Sequence, residues 1–165
     1  TPQIPSARFH CVSPLTSQGK SFGQETRRTA MKVEKVDATV ADFDAHFEKL
    51  FAADDDGGKV KLLLFLADRE PSSSLTWCPD CNVAEPVIYE KLESLGKDVV
   101  LLRAFVGDKP TWRDPAHPWR VDPRFGLKGV PTLLLWDASK GAAKGRLEDD
   151  EANVADKIDA LLLLD

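Results

Sequence analysis

Apolar residues along this chain fall into short runs whose spacing switches between that of strands and that of helices. Lys32-Val33-Glu34-Lys35-Val36 alternates polar and apolar positions, as a half-buried edge strand does. From Val40, apolar positions recur at Phe43, Phe47, Leu50 and Phe51, a helical spacing, with Asp37 or Thr39 placed to cap the start. Asp54-Asp55-Asp56-Gly57-Gly58 ends that helix as a polar turn. Val60 to Ala67 is almost wholly apolar, which predicts a central strand covered on both faces. A polar loop from Asp68 to Ser74 then delivers the chain to Trp77.

A second helix is predicted from about Asp80 to Leu95, with Val83, Val87, Ile88, Leu92 and Leu95 inward and a kink at Pro86. Val99 to Val106 reads as another buried strand. Pro110, Pro115, Pro118 and Pro123 mark 107–124 as a long loop, and its Trp112 and Trp119 argue that it packs down. A helical turn is placed at Asp122 to Phe125. Strands follow at Thr132 to Trp136 and Lys144 to Leu147, separated by a turn at Gly141. A last helix runs from about Glu151, with Val154, Ile158, Leu161 and Leu162 on one face. Alternating strands and helices, then a hairpin and a closing helix, predict an α/β domain: a central mixed sheet flanked by helices on both faces. No internal repeat is visible.

Composition narrows the function classes. At 165 residues the chain is long enough for one domain with a sizeable core. Its net charge of −5 argues against a general nucleic-acid binder, and no apolar run approaches the roughly 20 residues of a membrane span. The first 30 residues differ from the rest. They carry Arg8, Lys20, Arg27 and Arg28 against the single acid Glu25, lack hydrophobic periodicity, and are read as a disordered N-terminal extension. Two origins fit this head. Met31, the only methionine, is the natural start and the head an addition before it, or the head is an organelle transit peptide.

Chemistry concentrates at Trp77-Cys78-Pro79-Asp80-Cys81. Three cysteines, one of them Cys11 in the head, make no disulfide framework; a single C-x-x-C beside a βα pattern points to redox work. Disulfide exchange needs one thiolate to attack and a second thiol to resolve the mixed disulfide. A helix N-terminus offers unpaired N–H groups and a positive dipole end to the attacking sulfur. Cys78, at the first position, is therefore the expected nucleophile, and Cys81, one turn in, the resolving residue. Pro79 suits a first helical turn. Asp80 favours the helix dipole but opposes ionisation of a nearby thiol, and the sequence does not rank the two. The alternatives are half of a zinc or iron–sulfur site, or two structural thiols. His10, His46, His117 and Cys11 lack ligand spacing, so no metal is expected. His117 is read as a loop histidine, and Trp112 and Trp119 as loop packing or a substrate wall. Glu85 and Asp68 are read as solvated surface charges, with proton transfer as the alternative.

Trp-Cys-x-x-Cys with Pro86 five residues on, and Gly129-Val130-Pro131-Thr132 before an apolar strand, resemble thioredoxin. Trp77–Cys81, Ala84-Glu85-Pro86-Val87-Ile88-Tyr89, Gly107-Asp108-Lys109-Pro110-Thr111-Trp112-Arg113 and Ala116-His117-Pro118-Trp119-Arg120-Val121-Asp122 together resemble the Clot proteins, particularly their plant branch. That group includes thioredoxin domain-containing protein 17. The resemblance covers 31–165 and none of 1–30. It implies a thioredoxin fold over 31–165, with Pro131 in a cis peptide against the dithiol and Val130 offering its backbone to an extended substrate. It also implies a cytosolic, monomeric disulfide reductase with no bound cofactor, acting on small disulfides and selected protein disulfides. Electrons would come from thioredoxin reductase and NADPH, or from glutathione. The second reading is a redox-switched binding or signalling module on the same scaffold. Two departures from ordinary thioredoxin stand out, a longer loop before Trp77 and the 107–122 stretch; both are expected to narrow access to Cys78. Leu64 aligns where thioredoxins keep a buried Asp.

Overall fold

Residues from Val60 to Leu66 are buried without interruption, and they form the middle strand of the molecule. A computed structural model describes residues 31–52 and 58–165. The head, with Cys11 and His10, and the turn at 54–57 lie outside the described residues. The elements in chain order are β1 (Val33–Ala38), α1 (Phe43–Phe51), β2 (Val60–Leu66), α2 (Pro79–Ser94) and β3 (Val99–Phe105). Two short helices follow, α3 (Lys109–Arg113) and α4 (Pro118–Val121). The chain ends with β4 (Thr132–Asp137), β5 (Ala142–Glu148), a 3-10 helix (Asp149–Asn153) and α5 (Ala155–Leu162).

The sheet order is β1-β3-β2-β4-β5. β3 lies parallel to both β1 and β2, whereas β4 is antiparallel to β2 and to β5. Leu63 thus pairs with Leu102 on one side and Leu134 on the other. The crossovers β1-α1-β2 and β2-α2-β3 run in opposite directions across the sheet. Right-handed connections therefore place α1 and α2 on opposite faces. An aromatic cluster of Phe43, Phe47, Phe65, Trp119, Phe125 and Trp136 fills the α1 side. On the other side α2 packs against α5 and the 3-10 helix. Complete burial of β2, Lys61 included, follows from cover on both faces, as its almost wholly apolar run predicts.

Several expectations are corrected. The 107–124 segment is not one long loop. Pro110 and Pro118 sit in the first turns of α3 and α4, where a missing N–H costs nothing. Neither Asp37 nor Thr39 caps α1. Arg103 holds Asp37 (Nη2 to Oδ2, 2.9 Å), and the Thr39 N–H donates to Asp42, which occupies the cap position. Val40 is exposed. On α2, Val83 faces solvent, and the buried stripe is Cys81, Ala84, Glu85, Ile88 and Leu92. The last helix is split. A 3-10 turn takes Glu151, and Val154, 40 % exposed, stands at the α5 N-terminus rather than in the core.

Candidate active site

Pro79 opens α2 at its first position, and Cys78 stands before it as the N-cap in extended conformation. From there the Cys78 Sγ accepts the Cys81 N–H at 3.2 Å, satisfying one of the free donors of the first helical turn. Thr76 fixes Cys78 from behind. Its Oγ1 accepts the Cys78 N–H (3.1 Å) and lies 3.0 Å from the Cys78 carbonyl. Asn82, the residue after Cys81, closes this frame: its Oδ1 accepts the Thr76 N–H (2.8 Å) and its Nδ2 donates to the Thr76 carbonyl (3.0 Å).

Three further segments converge on this frame. The Val130–Pro131 peptide is cis, and the Cys78 thiol points at the Val130 carbonyl across 3.5 Å. Pro131 is buried, and its carbonyl accepts the Asp149 N–H at 2.8 Å, tying the loop to the 3-10 helix. The Trp77 indole Nε1 donates to the Gly107 carbonyl (3.0 Å). Asp68 sits at the same junction, where its Oδ1 accepts the Gly107 N–H (3.0 Å); it is a loop anchor rather than a free surface charge.

The two cysteines stand as free thiols in different environments. Cys78 is 7 % exposed and Cys81 fully buried. A hydrogen bond from the Cys81 thiol lowers the Cys78 pKa to about 7, helped by the Cys81 N–H and opposed by burial. Asp80, exposed in the first turn, acts both ways on Cys78: its charge raises the pKa more than its N–H lowers it. Cys81 is pushed far up by Cys78 and by burial, against a hydrogen bond to the Ala67 backbone. The site therefore holds an ionisable outer sulfur over a protonated inner one. That is the charge arrangement thiol–disulfide exchange uses: the thiolate attacks and the thiol waits.

Other residues singled out in the sequence fall elsewhere. Glu85 is no solvated charge: it is 6 % exposed and held by Arg69 through two bonds (2.6 and 2.7 Å) and by the Tyr89 hydroxyl (2.8 Å). His117 is buried, with Nδ1 accepting the Trp119 N–H (3.1 Å) and Nε2 donating to the Val106 carbonyl (2.8 Å). Trp112 and Trp119 flank it and are themselves buried, so both pack the 107–122 stretch down. Leu64 is fully buried on β2. Among the described residues no group of three or more His, Cys, Asp or Glu could hold a metal ion, and no helix is long and apolar enough to cross a membrane.

Thr76, Asn82 and Arg69 belong to this site although no local pattern in the sequence marks them. A weak signal existed for Glu85: four residues after Cys81, it shares that residue's face of α2.

Comparison with known proteins agrees with this geometry. The family model described as thioredoxin domain-containing protein 17-like, thioredoxin domain, matches residues 39–163. A protein of Oryza sativa subsp. japonica named Thioredoxin-like protein Clot is 73 % identical over 137 residues, covering 80 % of this chain and 97 % of that protein. Its namesake in Arabidopsis thaliana is 48 % identical with the same coverage. The human Thioredoxin domain-containing protein 17 is 34 % identical over 52 % of this chain and 67 % of its own length. With a mixed five-stranded sheet and a Cys-x-x-Cys pair at the N-terminus of α2, the chain has the thioredoxin fold and belongs to the thioredoxin domain-containing protein 17-like family, alongside the plant Clot proteins.

Proposed function

We propose that the protein is a dithiol disulfide reductase acting on small-molecule disulfides and selected protein disulfides. The observation that carries this reading is the position of Cys78 Sγ, capping α2 at 3.2 Å from the Cys81 N–H and facing the Val130 carbonyl. The Cys78 thiolate attacks one sulfur of the substrate disulfide. A Cys78–substrate bond forms, the first substrate thiolate leaves, and it takes a proton from solvent. Cys81 then loses its proton and attacks Cys78 Sγ, expelling the second substrate thiolate. Two electrons have passed to the substrate, and a Cys78–Cys81 disulfide remains. No resident cofactor enters these steps. Thioredoxin reductase with NADPH, or glutathione, restores the dithiol in the cytosol, and one chain suffices for the cycle.

Selectivity rests on the two segments beside Cys78. The loop from Asp68 to Thr76 holds Cys78 through Thr76 and is joined to Gly107, just ahead of α3, through Asp68, while Trp77 reaches the same glycine; Cys78 is 7 % exposed. Such a rim admits slim disulfides more readily than a broad protein surface. Val130 supplies main-chain contact to an extended substrate segment.

The test is turnover of cystine, glutathione disulfide and insulin, with thioredoxin reductase and NADPH compared against glutathione. Cystine reduction is expected to exceed insulin reduction. Cys78→Ser abolishes turnover, and Cys81→Ser accumulates the mixed disulfide on Cys78. Turnover surviving Cys78→Ser rules out the nucleophile assignment. A wild-type protein that turns over none of these, yet binds a partner only when oxidised or only when reduced, is a redox-switched module instead.

A further inference from the structure

Asn82 stands in the first turn of α2, four residues after Cys78, and folds its amide back onto the chain ahead of the dithiol. The amide oxygen accepts the Thr76 N–H (2.8 Å) and the amide nitrogen donates to the Thr76 carbonyl (3.0 Å). One orientation of the amide satisfies both groups; a carboxylate or an aliphatic side chain could not. The Thr76 hydroxyl is a third point of contact, 3.0 Å from the same Asn82 oxygen. Residues 76 to 82 are therefore a segment closed on itself, with both cysteines between its ends.

Thr76 passes this hold on to Cys78. Its hydroxyl oxygen accepts the Cys78 N–H (3.1 Å), and its single proton has two acceptors at 3.0 Å, the Asn82 oxygen and the Cys78 carbonyl. That carbonyl also accepts the Asn82 N–H (3.2 Å). Cys78 is thus gripped at its N–H and at its carbonyl, and both grips end on Thr76 or Asn82. Pro79, with its fixed φ, stiffens the chain between the cysteines. Thr76 is 4 % exposed, so a bond broken there is poorly replaced by one to water.

An intramolecular attack gains speed from how closely the reacting atoms are held. In the proposed cycle that attack is the second one, by the Cys81 sulfur on Cys78 Sγ. The first attack is bimolecular and asks only that Cys78 be reachable and ionised. We propose that Thr76 and Asn82 are positioning residues for the resolving step: their clamp holds Cys78 within reach of Cys81, so that the mixed disulfide is short-lived. This role rests on the disulfide-reductase reading for its consequence, but the two attacks are separable without turnover. A clamp that merely stabilised the fold would lower the unfolding midpoint and leave the ratio of the two rates alone.

The experiment is rapid mixing of the reduced protein, in a Cys11→Ser background, with dithiobis-nitrobenzoate, a disulfide whose released thiolate absorbs visible light. In the first phase the Cys78 thiolate attacks one reagent sulfur, a Cys78–nitrobenzoate disulfide forms and one coloured thiolate leaves; its rate scales with reagent. In the second, Cys81 gives its proton to solvent and attacks Cys78 Sγ. The Cys78–Cys81 disulfide forms and the second coloured thiolate leaves, at a rate independent of reagent. Asn82→Ala and Thr76→Val are each expected to slow the second phase about tenfold while the first stays within about threefold. Thr76→Ser, which keeps the hydroxyl, is expected to resolve nearly as fast as the wild type. Asn82 is only half-buried, so Asn82→Ala carries the test where Thr76→Val does not fold. A second phase unchanged in Asn82→Ala, a Thr76→Ser as slow as Thr76→Val, or both phases slowed alike overturns the proposal. Slowed resolution in variants of a protein that turns over neither cystine nor insulin upholds the clamp and rejects the reductase reading alone.

Discussion

The indole of Trp77 donates to the carbonyl of Gly107, 3.0 Å away, and so joins the residue before Cys78 to the turn after β3. Gly107 has a φ of +100°, a conformation that L side chains rarely adopt, and a Cβ there would meet the Thr111 methyl at 3.0 Å. Gly107→Ala is therefore expected to destabilise the fold by about 1–3 kcal/mol. It is also expected to slow alkylation of Cys78 and to change Trp77 fluorescence, because the displaced carbonyl is that residue's partner. Urea unfolding checks the first, iodoacetamide alkylation of Cys78 in a Cys11→Ser background the second, and emission spectra with a Trp77→Phe control the third. An unchanged midpoint would show that the turn absorbs a side chain freely.

A pH profile follows from the cysteines. With Cys78 lowered to about 7, alkylation of Cys78 in a Cys11→Ser variant is expected to rise through a midpoint near that value. Stability moves with it. A thiol whose folded pKa lies below its unfolded value adds stability that is full above the unfolded value and is lost as pH falls through the folded one. The reduced protein is thus expected to gain stability between about pH 7 and pH 9 relative to Cys78→Ser. Above that window Cys81, raised on folding, works the other way. Urea midpoints of the two proteins at several pH values check the sign.

How far the sequence foretold this site depends on the range of each interaction. Nearly continuous apolar runs, each with one basic residue (Lys61, Arg103), mark β2 and β3, and the Cys78–Cys81 spacing places the dithiol at a helix start, because those features are local. The 107–122 stretch misled because Pro110 and Pro118 read equally as loop breakers and as first-turn residues; caps at Asp108 and His117 decide it. The inward face of α2 leaves Val83 in solvent, against its apolar character, because the burial of Cys81 and Glu85 sets the phase of the helix. Glu85 resembled any surface carboxylate until Arg69, sixteen residues earlier, was brought against it. Such pairings depend on where the loop after β2 returns, which no local pattern encodes.

His117 gives a second pH dependence of known sign. Its Nδ1 caps α4 by accepting the Trp119 N–H, which only the neutral ring can do, and burial lowers its pKa. Above the ordinary histidine value of about 6.5 its contribution is complete. As pH falls through that value toward the lower folded one, the unfolded chain binds the proton first and stability declines. His117→Ala, losing the cap and the packing between two tryptophans, is expected to cost about 2–3 kcal/mol at pH 7 and to flatten the decline between pH 7 and pH 5. Thermal melts across that range test it; an equally steep decline in the variant would assign the proton elsewhere.

Gly129 and Asp149 make a coupled pair beside the cis peptide. A Cβ on Gly129 would collide with the Asp149 Oδ1, while the Asp149 N–H holds the Pro131 carbonyl. Gly129→Ala must therefore push aside either Asp149 or the loop carrying Val130. Asp149 itself sits in the left-handed region at φ +48°, where glycine is at ease. Gly129→Ala alone is expected to destabilise by about 1–3 kcal/mol and to raise KM for cystine, since Val130 moves with the loop. Asp149→Gly vacates the space and keeps the backbone N–H, so in the double variant most of the loss returns. A double-mutant cycle measures this as a coupling of about 1–2 kcal/mol. Additive effects would mean that the carboxylate yields without moving the loop, and would separate Asp149 from the substrate-facing edge of the site.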